Sequence, residues 1–94
     1  MTMIPVKVYT SDYCGYCRAA KTLLTHLRVP FEEIDCSGDS EVRKWLMEET
    51  GQRTVPQIFL ADVPIGGYSE LSELHRDGQL EPILRGELAP TSVK

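Results

Sequence analysis

The stretch Val6-Lys7-Val8-Tyr9-Thr10-Ser11-Asp12-Tyr13-Cys14-Gly15-Tyr16-Cys17-Arg18-Ala19-Ala20 decides the fold. Val6 to Thr10 alternates and is rich in β-branched residues, so it reads as a strand. Ser11-Asp12-Tyr13 supplies turn and cap chemistry. From Cys14 the period becomes helical. Cys17, Ala20, Leu24 and Leu27 share one face with Leu23 beside them, and Arg18, Lys21, Thr25 and Arg28 lie toward the other. Val29-Pro30 ends this helix, because the residue before a proline is pushed out of the helical region.

Outward from that unit, Phe31 to Ile34 reads as a second strand and Asp35 to Gly38 as a loop. Asp39 or Ser40 caps a helix reaching about Thr50, with Val42 and Leu46 inward, and Gly51 fits the position just past a helix end. Gln57 to Leu60 reads as a third strand and Pro64-Ile65 as a short fourth, with Ala61-Asp62-Val63 as the hairpin turn. Gly66-Gly67 breaks the pattern, Ser69 caps a helix from Glu70 to about Arg76, and Leu80 to Leu84 allows one more helical turn or two. Glu87 to Lys94 reads as a flexible tail on a core of about residues 5–86. The order is β-α-β-α-β-β-α. A right-handed βαβ crossover makes the first two strands parallel, and the hairpin makes the last two antiparallel. The expected fold class is α/β: a four-stranded mixed sheet flanked by helices on both faces, in one domain spanning residues 1–94.

Composition narrows the function. With 94 residues there is room for one core, and 41% hydrophobic against 26% charged residues is the balance of a globular chain. The net charge of −4, without a basic stripe interleaved with aromatics, argues against nucleic acid. No apolar run is long enough to span a bilayer, and no basic region followed by an apolar one marks a secretory signal. Three cysteines are too few, and odd in number, for a secreted disulfide framework. The count fits a reactive pair in a reducing, cytoplasmic setting.

That pair is Cys14-Gly15-Tyr16-Cys17. A C-x-x-C where a strand ends and a helix begins, within a βαβ unit, is a redox signature. The spacing puts both sulfurs on one face of the first turn. The helix N-terminus carries partial positive charge and unpaired N–H groups that stabilise a thiolate at Cys14, and Arg18 and Lys21 add positive potential. Cys14 is therefore the expected attacking sulfur and Cys17, one turn inside, the resolving one. A zinc site lacks a second pair, since neither Cys36, His26 nor His75 completes a ligand spacing. Cys36 reads as a spectator thiol, Trp45 as a partly covered packing residue, and His26, His75 and the acidic pairs Glu32-Glu33 and Glu48-Glu49 as solvated positions.

At this point the chain resembles the glutaredoxin family, from about Val6 to Leu84. Three blocks carry the resemblance: Tyr9-Thr10 with Cys14-Gly15-Tyr16-Cys17; Thr50-Gly51-Gln52-Arg53-Thr54-Val55-Pro56-Gln57-Ile58-Phe59; and Ile65-Gly66-Gly67-Tyr68-Ser69-Glu70-Leu71. The resemblance implies the thioredoxin-like fold, a cis Val55–Pro56 bond and glutathione as the working thiol. It places Gln52 and Arg53 at the glycyl carboxylate, Thr54, Val55 and Pro56 along the peptide backbone, Tyr16 as a wall, and Gly67, Tyr68 and Ser69 at the γ-glutamyl end. Glycines followed by a helix N-terminus suit a carboxylate, although taken alone that block reads as a plain turn with a cap.

Three departures stand out. Ser11 occupies a position where many members carry lysine, Ser69 replaces the usual aspartate, and Gly15 replaces the usual proline. The last change resembles members that share a [2Fe–2S] cluster across a dimer, with the first cysteine of each subunit and two glutathiones as ligands. The expected function is therefore a monomeric, glutathione-dependent oxidoreductase acting on glutathionylated or disulfide-containing proteins. The alternative is a dimeric iron–sulfur carrier.

Overall fold

The computed structural model describes residues 3–93. Its elements are β1 (Val6–Thr10), α1 (Gly15–His26), β2 (Glu32–Asp35), α2 (Ser40–Thr50), β3 (Gln57–Leu60), β4 (Val63–Gly66), α3 (Tyr68–Arg76) and α4 (Leu80–Leu84). The sheet order is β2-β1-β3-β4, with β1 and β2 parallel and both other pairs antiparallel. The expected mixed sheet is present, and the residues Leu80–Leu84 add a helix, so the element order ends α-α.

The period of two in β1 and β3 divides the interior into two cores. Val6 and Val8 with Ile58 and Leu60 meet Ala20 and Leu24 of α1, Leu71 of α3, and Leu80, Ile83 and Leu84 of α4. On the opposite face Tyr9 and Phe59 meet Leu46 of α2 and Cys36, with Ile34 and Val42 packed alongside. Trp45 stacks on Phe59 with centroids 5.6 Å apart and stays 40% exposed, the partly covered role its position predicts.

Several boundaries differ from the sequence reading. Helix α1 stops at His26, before Val29-Pro30 can stop it. Arg28 turns left-handed (φ 60°), and Val29 N–H closes on Leu24 O at 2.9 Å, satisfying a terminal carbonyl. Strand β2 is shifted by one residue, because the pairing runs from Lys7↔Glu32 to Thr10↔Asp35. The hairpin turn is only Ala61-Asp62, both at positive φ (51° and 67°), as a two-residue turn between twisted strands requires. Helix α2 starts as expected from Asp39, whose Oδ1 accepts Val42 N–H at 3.1 Å.

Ser69 does not cap α3. The helix begins at Tyr68 after Gly67, and the Glu70 carboxylate reaches back to accept Gly67 N–H at 2.9 Å. Residues 87–93 form no helix or strand. The segment expected to be a loose tail is nonetheless tied at its far end, where Val93 N–H donates to Pro64 O at 2.7 Å.

Gly66 has φ 112°, and a Cβ there would collide with the Glu70 side chain. Gly51 has φ 73° with open space around it. Gly51→Ala is expected to lower the unfolding free energy by about 1 kcal/mol, and Gly66→Ala by about 2–3 kcal/mol. Urea titrations of both variants measure the order. Equal losses would mean that Glu70 gives way freely.

Candidate active site

The chain leaves β1 at Thr10 and turns through Tyr13, an aromatic residue held at φ 59° and fully exposed. Asp12 N–H donates to Ser37 Oγ at 2.7 Å, pinning this turn to the loop after β2. Cys14 follows in extended conformation as the residue capping α1. Its Sγ accepts Cys17 N–H at 3.2 Å, and its thiol points at Val55 O, 3.5 Å away. The first turn of α1 holds no acidic residue, so no carboxylate of that turn offsets the partial positive charge of the helix start.

The three cysteines are free thiols in three environments. Cys14 is half-buried at the surface. Cys17 is 2% exposed, and burial, followed by its hydrogen bond with Cys14, pushes its thiol up to about 12. Cys36 is fully buried on the α2 side of the sheet. Its thiol donates to Thr10 O at 2.9 Å, and burial pushes it up as well. Lys21, expected to add positive potential, does act on Cys17 in that sense while paired with Glu33 at 2.9 Å, and Thr10 Oγ1 donates to the same Glu33 oxygen. These bonds, Lys21 first, hold the Glu33 carboxyl below its ordinary range.

Beside Cys14 lies a cleft of about 220 Å³ lined by Tyr16, Gln52, Thr54, Val55, Pro56, Gly67, Tyr68, Ser69 and Glu70. All the residues predicted for ligand contact are brought together here except Arg53. That residue instead lines a shallow groove with Arg43, Lys44 and Met47 of α2. Glu70 joins the lining unpredicted. Its signal was its position three residues after the true cap, Gly67, where a glutamate reaches back to the helix start.

The Val55–Pro56 bond is cis. Sheet pairing ends at Tyr9↔Gln57, so Val55 lies beyond the ladder with its backbone beside the Cys14 sulfur. Gly67 passes so close that a Cβ there would stand 3.1 Å from Pro56 O. Tyr16 and Tyr68 stack across the mouth, with centroids 6.3 Å apart and planes at 29°. A larger groove, about 540 Å³, lies between Tyr9, Trp45, Phe59 and Pro64 on the α2 face. The smaller cleft adjoins Cys14 through Val55, whose carbonyl lies 3.5 Å from the sulfur, and volume alone does not make the larger groove the centre of the chemistry.

Known proteins match this arrangement. The glutaredoxin family model matches residues 6–65. The chain is 43% identical to a glutaredoxin of Pseudomonas aeruginosa over 82 residues, covering 87% of this chain and 98% of that one. It is 39% identical to glutaredoxin 3 of Escherichia coli K12 over 83 residues, covering 88% and 100%. Among solved structures, the crystal structure of a buckwheat glutaredoxin–glutathione complex superposes with TM-score 0.82 at 35% identity, covering 94% of this chain and 83% of that one. The helix-capping cysteine, the cis-proline loop and the two-glycine turn around one cleft, together with these matches, make the chain a member of the glutaredoxin family of thiol–disulfide oxidoreductases.

Proposed function

We propose that the protein is a glutathione-dependent oxidoreductase that reduces protein–glutathione mixed disulfides and protein disulfides through Cys14 and Cys17. One observation carries this reading: the Cys14 sulfur accepts a helix-start N–H beside a cleft that runs from Gln52 past Val55 and Pro56 to Gly67 and Ser69. A thiolate in that place gains a charge-assisted hydrogen bond and the helix dipole.

With a glutathionylated protein, the Cys14 thiolate attacks the glutathione sulfur. The protein sulfur leaves as a thiolate and takes a proton, and Cys14 becomes a mixed disulfide with glutathione. A second glutathione thiolate attacks that disulfide, releasing oxidised glutathione and restoring Cys14. With a protein disulfide, Cys14 forms the mixed disulfide with one substrate sulfur. Cys17 then gives up its proton and attacks the Cys14 sulfur. This releases the substrate as a dithiol and leaves the Cys14–Cys17 disulfide, which two glutathiones reduce.

The cleft supports glutathione in one direction. Backbone at Val55 suits strand-like pairing with the central cysteine. The start of α3 and the Ser69 hydroxyl suit the γ-glutamyl carboxylate, and Glu70 places a carboxylate near its ammonium group. Gln52 suits the glycyl carboxylate at the other end. Arg53 lies outside the lining, so Gln52 takes the larger share. The likeness to the buckwheat glutaredoxin–glutathione complex supports the same ligand. Three free thiols suit a reducing compartment such as the cytoplasm. For the iron–sulfur alternative, this chain offers a cluster one accessible thiol, Cys14. The remaining ligands of a four-thiolate set must come from a second copy and from bound thiols, so dithiol exchange is the reading this chain completes by itself.

Two experiments test the assignment. Turnover of a glutathionylated peptide should fall to the uncatalysed rate in Cys14→Ser. Cys17→Ser should keep it within roughly threefold while losing reduction of protein disulfides. Activity retained without Cys14 would overturn the mechanism. Iodoacetamide near neutral pH, followed by peptide mass spectrometry, should label Cys14 and spare Cys17 and Cys36. With its thiol pushed up to about 12, Cys17 gains reactivity only as the solution becomes strongly alkaline. Equal labelling of Cys14 and Cys17 near neutral pH would reverse their roles.

A further inference from the structure

Gln57 is fully buried, and its Oε1 has no hydrogen-bond partner among the described residues. Its other amide atom is fully engaged. Nε2 donates to Thr54 O at 2.8 Å and to Gln52 Oε1 at 3.0 Å, with Thr54 Oγ1 at 3.4 Å. This unequal arrangement has a structural logic. Thr54 O is a backbone carbonyl and only accepts, so the nitrogen of Gln57 must face it. The reverse orientation would set the Gln57 oxygen against two acceptors and remove the partners of its N–H groups. Gln52 in turn must present its own oxygen to Gln57. The end of the Gln52 amide left for the cleft is therefore its NH₂ group, which only donates.

The main chain at Gln52 is held equally firmly. Gln52 N–H donates to the Thr50 hydroxyl at 3.0 Å, and that buried hydroxyl bonds Leu46 O at 2.7 Å at the end of α2. Backbone and side-chain direction are thus both set before any ligand arrives.

We propose that Gln57 is a specificity-determining positioning residue: it fixes the polarity of the Gln52 amide, so that this end of the cleft selects a ligand carrying a carboxylate there. The inference rests on the glutathione reading above and adds to it. Gln57 does not line the cleft; its influence on the carboxylate end passes through its hydrogen bond to Gln52, while the same amide also holds Thr54. A glutamine free to flip would accept a donor as readily as it donates to an anion. Gln57 removes that freedom.

The test compares two substrates: a peptide carrying glutathione in mixed disulfide, and the same peptide whose glutathione has its glycyl carboxylate esterified with ethanol. The wild-type protein should show the lower KM for the free acid. Gln57→Leu keeps the volume and removes both the donor and the orphaned oxygen. It should cut the acid-over-ester preference roughly three- to tenfold, with the change in KM rather than kcat. Gln57→Glu should cut it further, because its oxygens would accept the Gln52 NH₂ and turn the Gln52 oxygen toward the cleft. Gln52→Ala should lose the same preference, and adding Gln57→Leu to it should lose no more. A merely structural role would raise KM for both substrates alike and leave the ratio intact, and that result overturns the inference. A wild-type protein that turns over both substrates with equal KM also overturns it. A wild-type protein that turns over neither overturns instead the glutathione-dependent function on which it rests.

Discussion

One backbone N–H, that of Cys17, is directed at one sulfur, that of Cys14, and the rest of the site is arranged around this contact. A helix start leaves its first N–H groups unpaired, and a side chain at the cap position can take one of them. Serine, threonine or aspartate does this well, whereas a thiol is a weak acceptor. The contact becomes strong when the sulfur is ionised, because the bond is then charge-assisted and lies at the positive end of the helix. On the proposed mechanism, the cap that holds α1 and the state that attacks a disulfide are the same interaction. That explains why the preferred oxygen caps stand aside at this position, even though Ser11 and Asp12 lie just before it.

The register of the sheet brings the other parts to that contact. β1 and β3 are antiparallel, so the last residue of the Tyr9↔Gln57 pair puts the exit of β1 beside the entrance of β3. Cys14 follows the one and Val55-Pro56 precedes the other. Gly66 pairs with Ile58, so the glycine turn leaves β4 at the same end. Three stretches distant in sequence thus meet at one end of the strands of one sheet. A slip of one residue would turn Val8 and Ile58 out of the core, so the burial of those side chains also fixes the placement of the cleft.

Most of the fold was legible because its signals are local. Alternation marks β1, an aspartate cap and a terminal glycine mark α2, and the C-x-x-C follows a strand. What escaped depends on partners distant in sequence or on competition between neighbours. Arg28 ends α1 because its backbone accepts the left-handed region, which no helical period reveals. Ser69 looked like the cap of α3. Two competing features moved the start two residues earlier: Gly67 fits against Pro56, and Glu70 reaches back to it. Arg53 has the right charge beside Gln52, yet adjacent residues of an extended loop point to opposite sides. Only one of the two enters the cleft. Gln57 read as one more strand residue, because the pattern of β3 does not tell which of its side chains would meet a loop rather than a helix.

The three cysteines show how far chemistry follows from depth and direction rather than residue type. Cys17 sits one turn inside α1, and Cys36 sits across the sheet under α2. Both are buried, and both thiols are pushed up. They differ in what each can reach. Cys36 spends its only hydrogen on Thr10 O, inside the core on the α2 face of the sheet. Cys17 faces Cys14, and its thiol is pushed up first by burial, then by its hydrogen bond with Cys14 and by the charge of that sulfur, against the opposing effects of the Ser11 backbone and Lys21. Burial is permanent, but the Cys14 contributions last only while that sulfur is free to accept a hydrogen bond or carry charge. Once Cys14 is tied into a mixed disulfide, those contributions disappear. The sulfur beside Cys17 then becomes an electrophile, and ionisation of Cys17 becomes easier at the step that needs it. On the proposed mechanism Cys17 is thus held protonated by the same neighbour whose oxidation releases it, whereas Cys36 has no such neighbour among the described residues and stays a packing group.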